Sequence, residues 1–144
     1  MHFSMVDRVL ERSDDAIVTV KHVSAAEEYL QDHFPTFPVL PGVMMLECMV
    51  QAARELLDPR GEATPPMVLG RVRALKYGRF VKPGDSLRVS VQVGKRLEDG
   101  SVELKGECRV VSPEDGAAGG GGEDPPVACS GRLTMRAARV EVPS

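Results

Sequence analysis

Hydrophobic and polar residues alternate strictly in the second half of the chain. Residues 86–97, 102–110 and 127–135 each place apolar side chains at every second position. This period of two, with polar residues in between, predicts antiparallel strands that are covered on one side only. Asp99 and Gly100 lie between the first two runs and form a sequence that favours a hairpin turn. Weaker or less regular runs predict further strands at about 67–77, 5–11 and 16–23.

One segment has the period of a helix instead. It begins near Pro41 and ends around Leu57, before Pro59 and Gly61. Its apolar residues point in nearly every direction around the axis, which predicts a helix buried on all sides. One buried helix with five or six antiparallel strands around it is the architecture that this pattern favours.

Length and composition indicate one globular domain. The chain has 144 residues, 42% of them apolar and 27% charged, which suits a single core spanning residues 1–144. A glycine-rich stretch at about 113–125 is predicted to be a flexible insertion between two strands. We expect no signal peptide and no membrane span. The odd set Cys48, Cys108 and Cys129 predicts reduced thiols in the cytoplasm, and no spacing of cysteine or histidine suggests a metal site.

The charge is unevenly distributed along the chain. The net charge is −3, which argues against nucleic-acid binding. Residues 71–82 nevertheless hold five basic residues and no acidic one. Either this segment is a solvated edge strand, or it docks an acidic partner through Arg71, Arg73, Lys76 and Arg79.

The predicted helix carries one polar stripe. Glu47, Gln51 and Glu55 follow each other at intervals of four residues and therefore share a face. Glu47 lies among methionines, where desolvation favours a neutral carboxyl that can act as a general acid. Gln51 is one turn away and can orient that carboxyl by a hydrogen bond. The alternative is that Glu47 forms a buried ion pair with an arginine.

The segment before the helix, HFPTFPVLP, has a proline at every third position. This period matches polyproline II geometry and predicts a stiff, extended strap. His33 lies at one end of the strap, where it can serve as a base, and the helix N-terminus lies at the other. The free N–H groups around Gly42 can stabilise a developing oxyanion. Base, acid and oxyanion donor together suit proton abstraction beside a carbonyl and loss of a protonated leaving group.

These residues resemble a known signature. H-F-P-x-x-P-x-x-P-G-V-x-x-x-E, with glutamine four residues after the glutamate, is similar to that of 3-hydroxyacyl-[acyl-carrier-protein] dehydratases of the FabZ type. FSMVDRVLE resembles their first strand, and FVKPGDSL resembles the turn before a long strand. The resemblance implies an α+β hot-dog fold, a long central helix wrapped by an antiparallel sheet. It also implies a homodimer formed by sheet extension, or a trimer of such dimers, with each site shared across the two-fold axis.

The resemblance implies a role for each matching residue. His33 would remove the C2 proton of a 3-hydroxyacyl thioester, and Glu47 would protonate the departing hydroxyl. The Gly42 N–H would polarise the thioester carbonyl, and Gln51 would orient Glu47. The acyl tunnel would be lined by Phe37, Val43, Leu46, Val50 and Arg54. The substrate would be carried by acyl carrier protein or coenzyme A, and no metal or organic cofactor would be needed. Asp32, Thr36, Phe37 and Arg54 depart from the family pattern, and they bear on the tunnel.

Two rival functions fit the same fold. An acyl-thioester hydrolase also places a carboxylate on the central helix, but typically without the histidine and the proline strap. A non-catalytic acyl-binding module would not need both His33 and Glu47. Cys48 as a nucleophile is a third alternative, although a cysteine in the middle of a helix is usually a buried, inert thiol.

Overall fold

A computed structural model describes residues 4–24, 39–113 and 124–139 of the chain. The elements in this part are β1 (Arg8–Arg12), β2 (Ala16–His22), α1 (Gly42–Leu57), β3 (Met67–Tyr77), β4 (Ser86–Arg96), β5 (Val102–Val111) and β6 (Val127–Ala137). The strands form one antiparallel sheet in the order β1-β2-β4-β5-β6-β3. Helix α1 packs across five of the strands, so the predicted hot-dog fold is confirmed.

The alternating runs of the sequence form strands, and their apolar residues lie on the one face of the sheet that is covered. In β4 the buried residues are Leu87, Val89 and Val91, and in β5 every second residue from Val102 to Val110 is buried. These side chains meet the buried face of α1 in one core. The helix lies close to the sheet at Gly106, where an added Cβ would stand 2.7 Å from the Met49 sulfur. The second half of the chain therefore folds as its pattern predicts.

The prediction that the helix is buried on all sides was wrong. The buried positions of α1 are Met45, Cys48, Met49, Val50, Ala52, Ala53 and Leu56. Val43, by contrast, is 66% exposed, and Glu47, Gln51 and Arg54 are half-buried. A single sheet can cover only one side of a helix, so the opposite side is left to loops and to other molecules.

Strand β3 forms one edge of the sheet, beside β6. It is 11 residues long, and its register with β6 shifts between Arg73 and Lys76, where Ala74 has a φ of 53°. The outer side of the sheet, away from α1, is mostly polar on β4, β5 and β6, whereas β2 presents Ala16, Val18 and Val20 there. Most of the glycine-rich insertion predicted at 113–125 lies outside the described residues.

Candidate active site

Glu47 and Gln51, two residues of the polar stripe of α1, belong to one connected group of hydrogen bonds, whereas Glu55 pairs with Arg12 of β1. The Gln51 side-chain amide donates to Oε1 of Glu47 at 3.0 Å, from one turn further along the helix. The backbone N–H of Met5 in turn donates to Oε1 of Gln51 at 2.7 Å. Glu47 forms no ion pair with any residue in the described part of the chain. The alternative, a buried ion pair between Glu47 and an arginine, is therefore not found in the described part of the chain.

This arrangement decides which oxygen of Glu47 can give up a proton. A backbone N–H can only donate, so the Met5 contact turns the oxygen of the Gln51 amide toward Met5. The NH₂ group of Gln51 must then face Glu47, whose Oε1 is the acceptor. When the carboxyl is neutral, its proton lies on Oε2, the atom that Gln51 leaves available.

The segment that supplies the Met5 donor is itself anchored. Oδ2 of Asp7 accepts a hydrogen bond from the His22 backbone N–H at 2.6 Å, and Oδ1 lies 3.6 Å from Nζ of Lys21. Lys21 is 7% exposed and Met5 is fully buried. Two residues of β2 thus fix the chain around Asp7, and Met5 holds the Gln51 amide in place.

The N-terminus of α1 offers backbone donors. Pro41 is the cap residue rather than the first helical residue, and its carbonyl accepts from Met44 N at 2.9 Å. No described residue accepts a hydrogen bond from the N–H groups of Gly42 or Val43. The chain just before the helix is held in place, because Leu40 N donates to Val81 O at 2.8 Å. Two N–H groups therefore point away from the helix with no acceptor in the described part of the chain.

Tyr77 is a neighbour of this helix end that the sequence did not reveal. A Cβ added to Gly42 would stand 2.7 Å from Cε1 and 2.8 Å from Cζ of Tyr77, so the ring lies directly against this glycine. Tyr77 is 54% exposed, and desolvation raises the pKa of its hydroxyl. The chain around Tyr77 is held by Gly78, whose N–H donates to Ala128 O at 2.9 Å. Only the tertiary structure could show this, because Gly42 and Tyr77 are 35 positions apart along the sequence.

The remaining residues predicted for the site are either outside the described part of the chain or on α1. His33 and Phe37 lie outside the described residues. Leu46 is half-buried against the core, Val50 is buried in the core, and Arg54 is half-buried near the end of α1. Arg54 donates from Nε to the Met67 carbonyl at 3.3 Å. A cleft of about 580 Å³ begins at Gln51 and Arg54 and extends along the N-terminal segment from Ser4 to Val9.

The three cysteines are buried thiols. Burial raises the pKa of Cys48 to about 12, an effect that the nearby positive charge of Lys21 partly opposes. Desolvation also raises the pKa of Cys129 to about 11 and that of Cys108 well above its usual value. A thiol that stays protonated near neutral pH is a poor nucleophile, which argues against a catalytic role for Cys48.

Neither a metal site nor a membrane-spanning helix is found in the part of the chain that the structure describes. Within residues 4–24, 39–113 and 124–139, no three side chains of the metal-binding types lie close enough together to hold an ion. The helix in the same ranges is too short and too polar to cross a membrane. The donors found at the site are a carboxyl, an amide and backbone N–H groups, which suit proton transfer.

Comparison with known proteins decides the family. Residues 9–114 match the model of the ApeI-like family, described as ApeI dehydratase. The chain belongs to this family. It is similar to the 3-hydroxyacyl-[acyl-carrier-protein] dehydratase FabZ of Thermotoga neapolitana, with 37% identity over 109 residues, 75% of this chain and 77% of that protein. The FabZ of Lactococcus lactis is 40% identical over 96 residues, which span 65% of this chain and 66% of that protein. The predicted FabZ-type dehydratase is thereby confirmed.

A solved structure of a dehydratase complex shares the fold. The dehydratase heterocomplex ApeI:P from Xenorhabdus doucetiae superposes with a TM-score of 0.67, covering 93% of this chain and 98% of that one. Its sequence identity is 14%, so this likeness shows the fold alone. The ApeI-like dehydratase described here therefore combines a hot-dog fold with a carboxyl on its central helix.

Proposed function

We propose that this ApeI-like dehydratase removes water from a 3-hydroxyacyl thioester and releases the trans-2-enoyl thioester, as in fatty-acid or related acyl-chain biosynthesis. The observation that carries the proposal is the hydrogen bond from Gln51 to Oε1 of Glu47, which leaves Oε2 to deliver a proton. Glu47 is five residues after Gly42, which is about 7.5 Å along a helix. Side chains of a helix lean toward its N-terminus, which brings the Glu47 carboxyl closer to the N–H groups of Gly42 and Val43. A short 3-hydroxyacyl unit fits between an acid and an oxyanion donor placed in this way.

The reaction transfers two protons. His33 takes the C2 proton, and negative charge builds up on the thioester oxygen, where the Gly42 N–H stabilises it. The electron pair then forms the C2–C3 double bond while the C3–O bond breaks. Glu47 gives its proton from Oε2 to the departing hydroxyl, which leaves as water. The proton on His33 returns to Glu47 through solvent, and neither step needs an oxidant or a reductant.

We propose that the acyl chain runs along the side of α1 that faces away from the sheet. Val43 is exposed and Leu46 half-buried on α1, Val50 is buried in the core, and Arg54 borders the 580 Å³ cleft. Phe37 completes the proposed tunnel lining. The polar border of the cleft favours acyl chains that are short or that end in a polar group.

We propose a homodimer in which each site is shared. Strand β3 is an edge strand, and its free backbone groups can extend the sheet into a second copy. His33 of one chain would then meet Glu47 of the other, and three such dimers can assemble further. Mixing His33→Ala with Glu47→Gln chains tests this arrangement. Random exchange makes half of the dimers mixed, each with one intact site, so activity should recover to about a quarter of wild type. If subunits exchange and the mixture stays inactive, the shared site is wrong.

We further propose that the substrate arrives on acyl carrier protein, docked through Arg71, Arg73, Lys76 and Arg79. The first three are exposed on β3, and Arg79 is exposed just beyond it. A cytoplasmic location is proposed as well, since three unpaired thiols suit a reducing compartment.

The experiment that tests the function is incubation with 3-hydroxyacyl thioesters of graded length. Enoyl absorbance should rise while no free thiol appears, and one chain length should give the highest kcat/KM. Release of thiol without enoyl formation would identify an acyl-thioester hydrolase. Binding of the thioester with no turnover at any chain length would identify a non-catalytic acyl-binding module.

A further inference from the structure

The 580 Å³ cleft lies between the N-terminal segment, residues 4–9, and the second half of α1. Part of its wall is apolar and comes from Val6, Val9 and Pro59. Its border also holds three arginines from three separate elements: Arg8 of β1, Arg54 of α1 and Arg60 of the turn that follows α1. The cleft therefore joins surface that suits a methylene chain with cations that suit a negatively charged group.

Three acidic side chains also border the cleft, and each of them is engaged within the protein. Oε1 of Glu55 lies 3.8 Å from Nη1 of Arg12. Asp58 accepts hydrogen bonds from two backbone N–H groups of the turn after α1, at 3.1–3.3 Å. Asp7 accepts from a backbone N–H of β2 at 2.6 Å and lies 3.6 Å from Nζ of Lys21. These carboxylates hold parts of the fold together and do not neutralise the three arginines of the cleft.

Arg54 is positioned to bind a carboxylate. None of the three arginines forms an ion pair within residues 4–24, 39–113 and 124–139. Arg54 is half-buried, and its Nε donates to the Met67 carbonyl at 3.3 Å. This bond orients the planar guanidinium, and no residue in the same ranges accepts from its two terminal NH₂ groups. Those two groups lie side by side, the arrangement that binds a carboxylate through two parallel hydrogen bonds.

Arg54 also lies on the same face of α1 as Glu47. It follows Glu47 by seven residues, which is close to two turns and about 10.5 Å along a helix. In the proposed reaction the thioester carbonyl lies at Gly42 and the 3-hydroxyl at Glu47, so the acyl chain beyond C3 runs toward the second half of α1. Gln51 connects the two places, because it donates to Glu47 and also borders the cleft. The arginines therefore meet the distal end of the acyl chain, whereas the carrier of the thioester lies at the other end of the helix.

We infer that the preferred substrates are 3-hydroxyacyl thioesters whose distal end is a carboxylate, and that Arg54 binds this carboxylate. The substrate class is thus the monothioesters of 3-hydroxy dicarboxylic acids. Arg8 and Arg60 add positive potential at the same cleft. A chain that ends in a methyl group would leave the guanidinium of Arg54 without an anionic partner, so the site discriminates between the two kinds of end. The inference rests on the proposed function, because it takes Glu47 to act at the 3-hydroxyl.

The test is dehydration of coenzyme A thioesters in matched pairs of equal chain length. The pairs are 3-hydroxyhexanoyl with 3-hydroxyadipyl, 3-hydroxyoctanoyl with 3-hydroxysuberyl, and 3-hydroxydecanoyl with 3-hydroxysebacyl. Both members of a pair carry the same coenzyme A, so contacts to its phosphates cancel in the comparison. In at least one pair, kcat/KM should be about tenfold or more higher for the member that ends in a carboxylate. This preference should weaken as the salt concentration rises.

Variants of Arg54 test whether this residue is the source of the preference. Arg54→Met keeps an apolar stem but removes the charge, so the ratio of the two kcat/KM values should fall to near one, mainly through a higher KM for the carboxylate member. Arg54→Lys keeps the charge without the paired NH₂ groups and should retain part of the preference. Arg88→Met is the matched control, since it makes the same change at an exposed position on the outer side of β4, and it should leave the ratio as in wild type.

The outcomes separate this inference from the proposed function. If the wild-type protein dehydrates the methyl-ended member at least as well as its partner at every length, the inference is wrong and the proposed function stands. The inference is also wrong if Arg54→Met, folded as shown by its unfolding temperature, keeps the wild-type ratio. If the protein dehydrates neither member of any pair, the proposed function itself fails.

Discussion

Gln51 holds Glu47 by a 3.0 Å hydrogen bond from its side-chain amide to Oε1, and it is itself held at 2.7 Å by the backbone N–H of Met5. Replacing Gln51 with methionine keeps the length of the side chain but removes both bonds. We expect kcat for dehydration of a 3-hydroxyacyl coenzyme A thioester to fall about tenfold with little change in KM, since one hydrogen bond contributes about 0.5–1.5 kcal/mol. Steady-state kinetics measures both constants. An unchanged kcat would mean that Gln51 does not position the acid.

The contact between Tyr77 and Gly42 gives a second prediction. Gly42→Ala adds a methyl group 2.7 Å from the Tyr77 ring, so the ring or the helix end beside it must shift. We expect the activity of Gly42→Ala to fall and the second change Tyr77→Ala to restore part of it. Gly94→Ala is a suitable control, because its nearest neighbour would be 3.5 Å away. A double-mutant cycle on kcat/KM measures the coupling, and purely additive effects would rule out the clash.

The raised thiol pKa values predict behaviour at high pH. Burial raises the pKa of Cys48 to about 12 and that of Cys129 to about 11, so the fold favours the neutral thiols. The resulting stabilisation is complete below the ordinary thiol pKa of about 8.5 and is lost as the pH rises toward the folded values. The free energy of unfolding, from denaturant titrations at a series of pH values, should decline over this range.

The same thiols should resist alkylation. At about pH 8, iodoacetamide should label the folded protein far more slowly than the denatured protein, as followed by mass spectrometry. Rapid labelling of Cys48 in the folded protein would show an accessible thiolate. Such a result would reopen the alternative of a cysteine nucleophile.

The sequence predicts the sheet well because period-two alternation depends only on which face is covered. Strand β3 was predicted at about 67–77, and Met67–Tyr77 is the strand observed. The end of α1 at Leu57 also follows from local signals, the proline and glycine that come after it. Such features need no knowledge of distant parts of the chain.

Contacts between distant segments could not be predicted. The Met5 N–H reaches Gln51 because β2 anchors Asp7, and Tyr77 reaches Gly42 because β3 ends beside α1. Arg8, Arg54 and Arg60 border one cleft only because the N-terminal segment lies beside the second half of α1. Burial of the helix was overestimated for a related reason, since Val43 lies on the side that the sheet does not reach.

The rate of enoyl formation by Glu47→Gln tests the central claim most directly. Glutamine keeps the volume of the side chain and its contact with Gln51, but it has no proton to give as a general acid. We predict that kcat falls by about 10²–10⁴-fold while the free energy of unfolding stays close to that of wild type. Glu98→Gln, the same change at the exposed β4–β5 hairpin, should retain the wild-type rate. Turnover by Glu47→Gln close to that of wild type, on a substrate that the parent enzyme dehydrates well, would contradict the account.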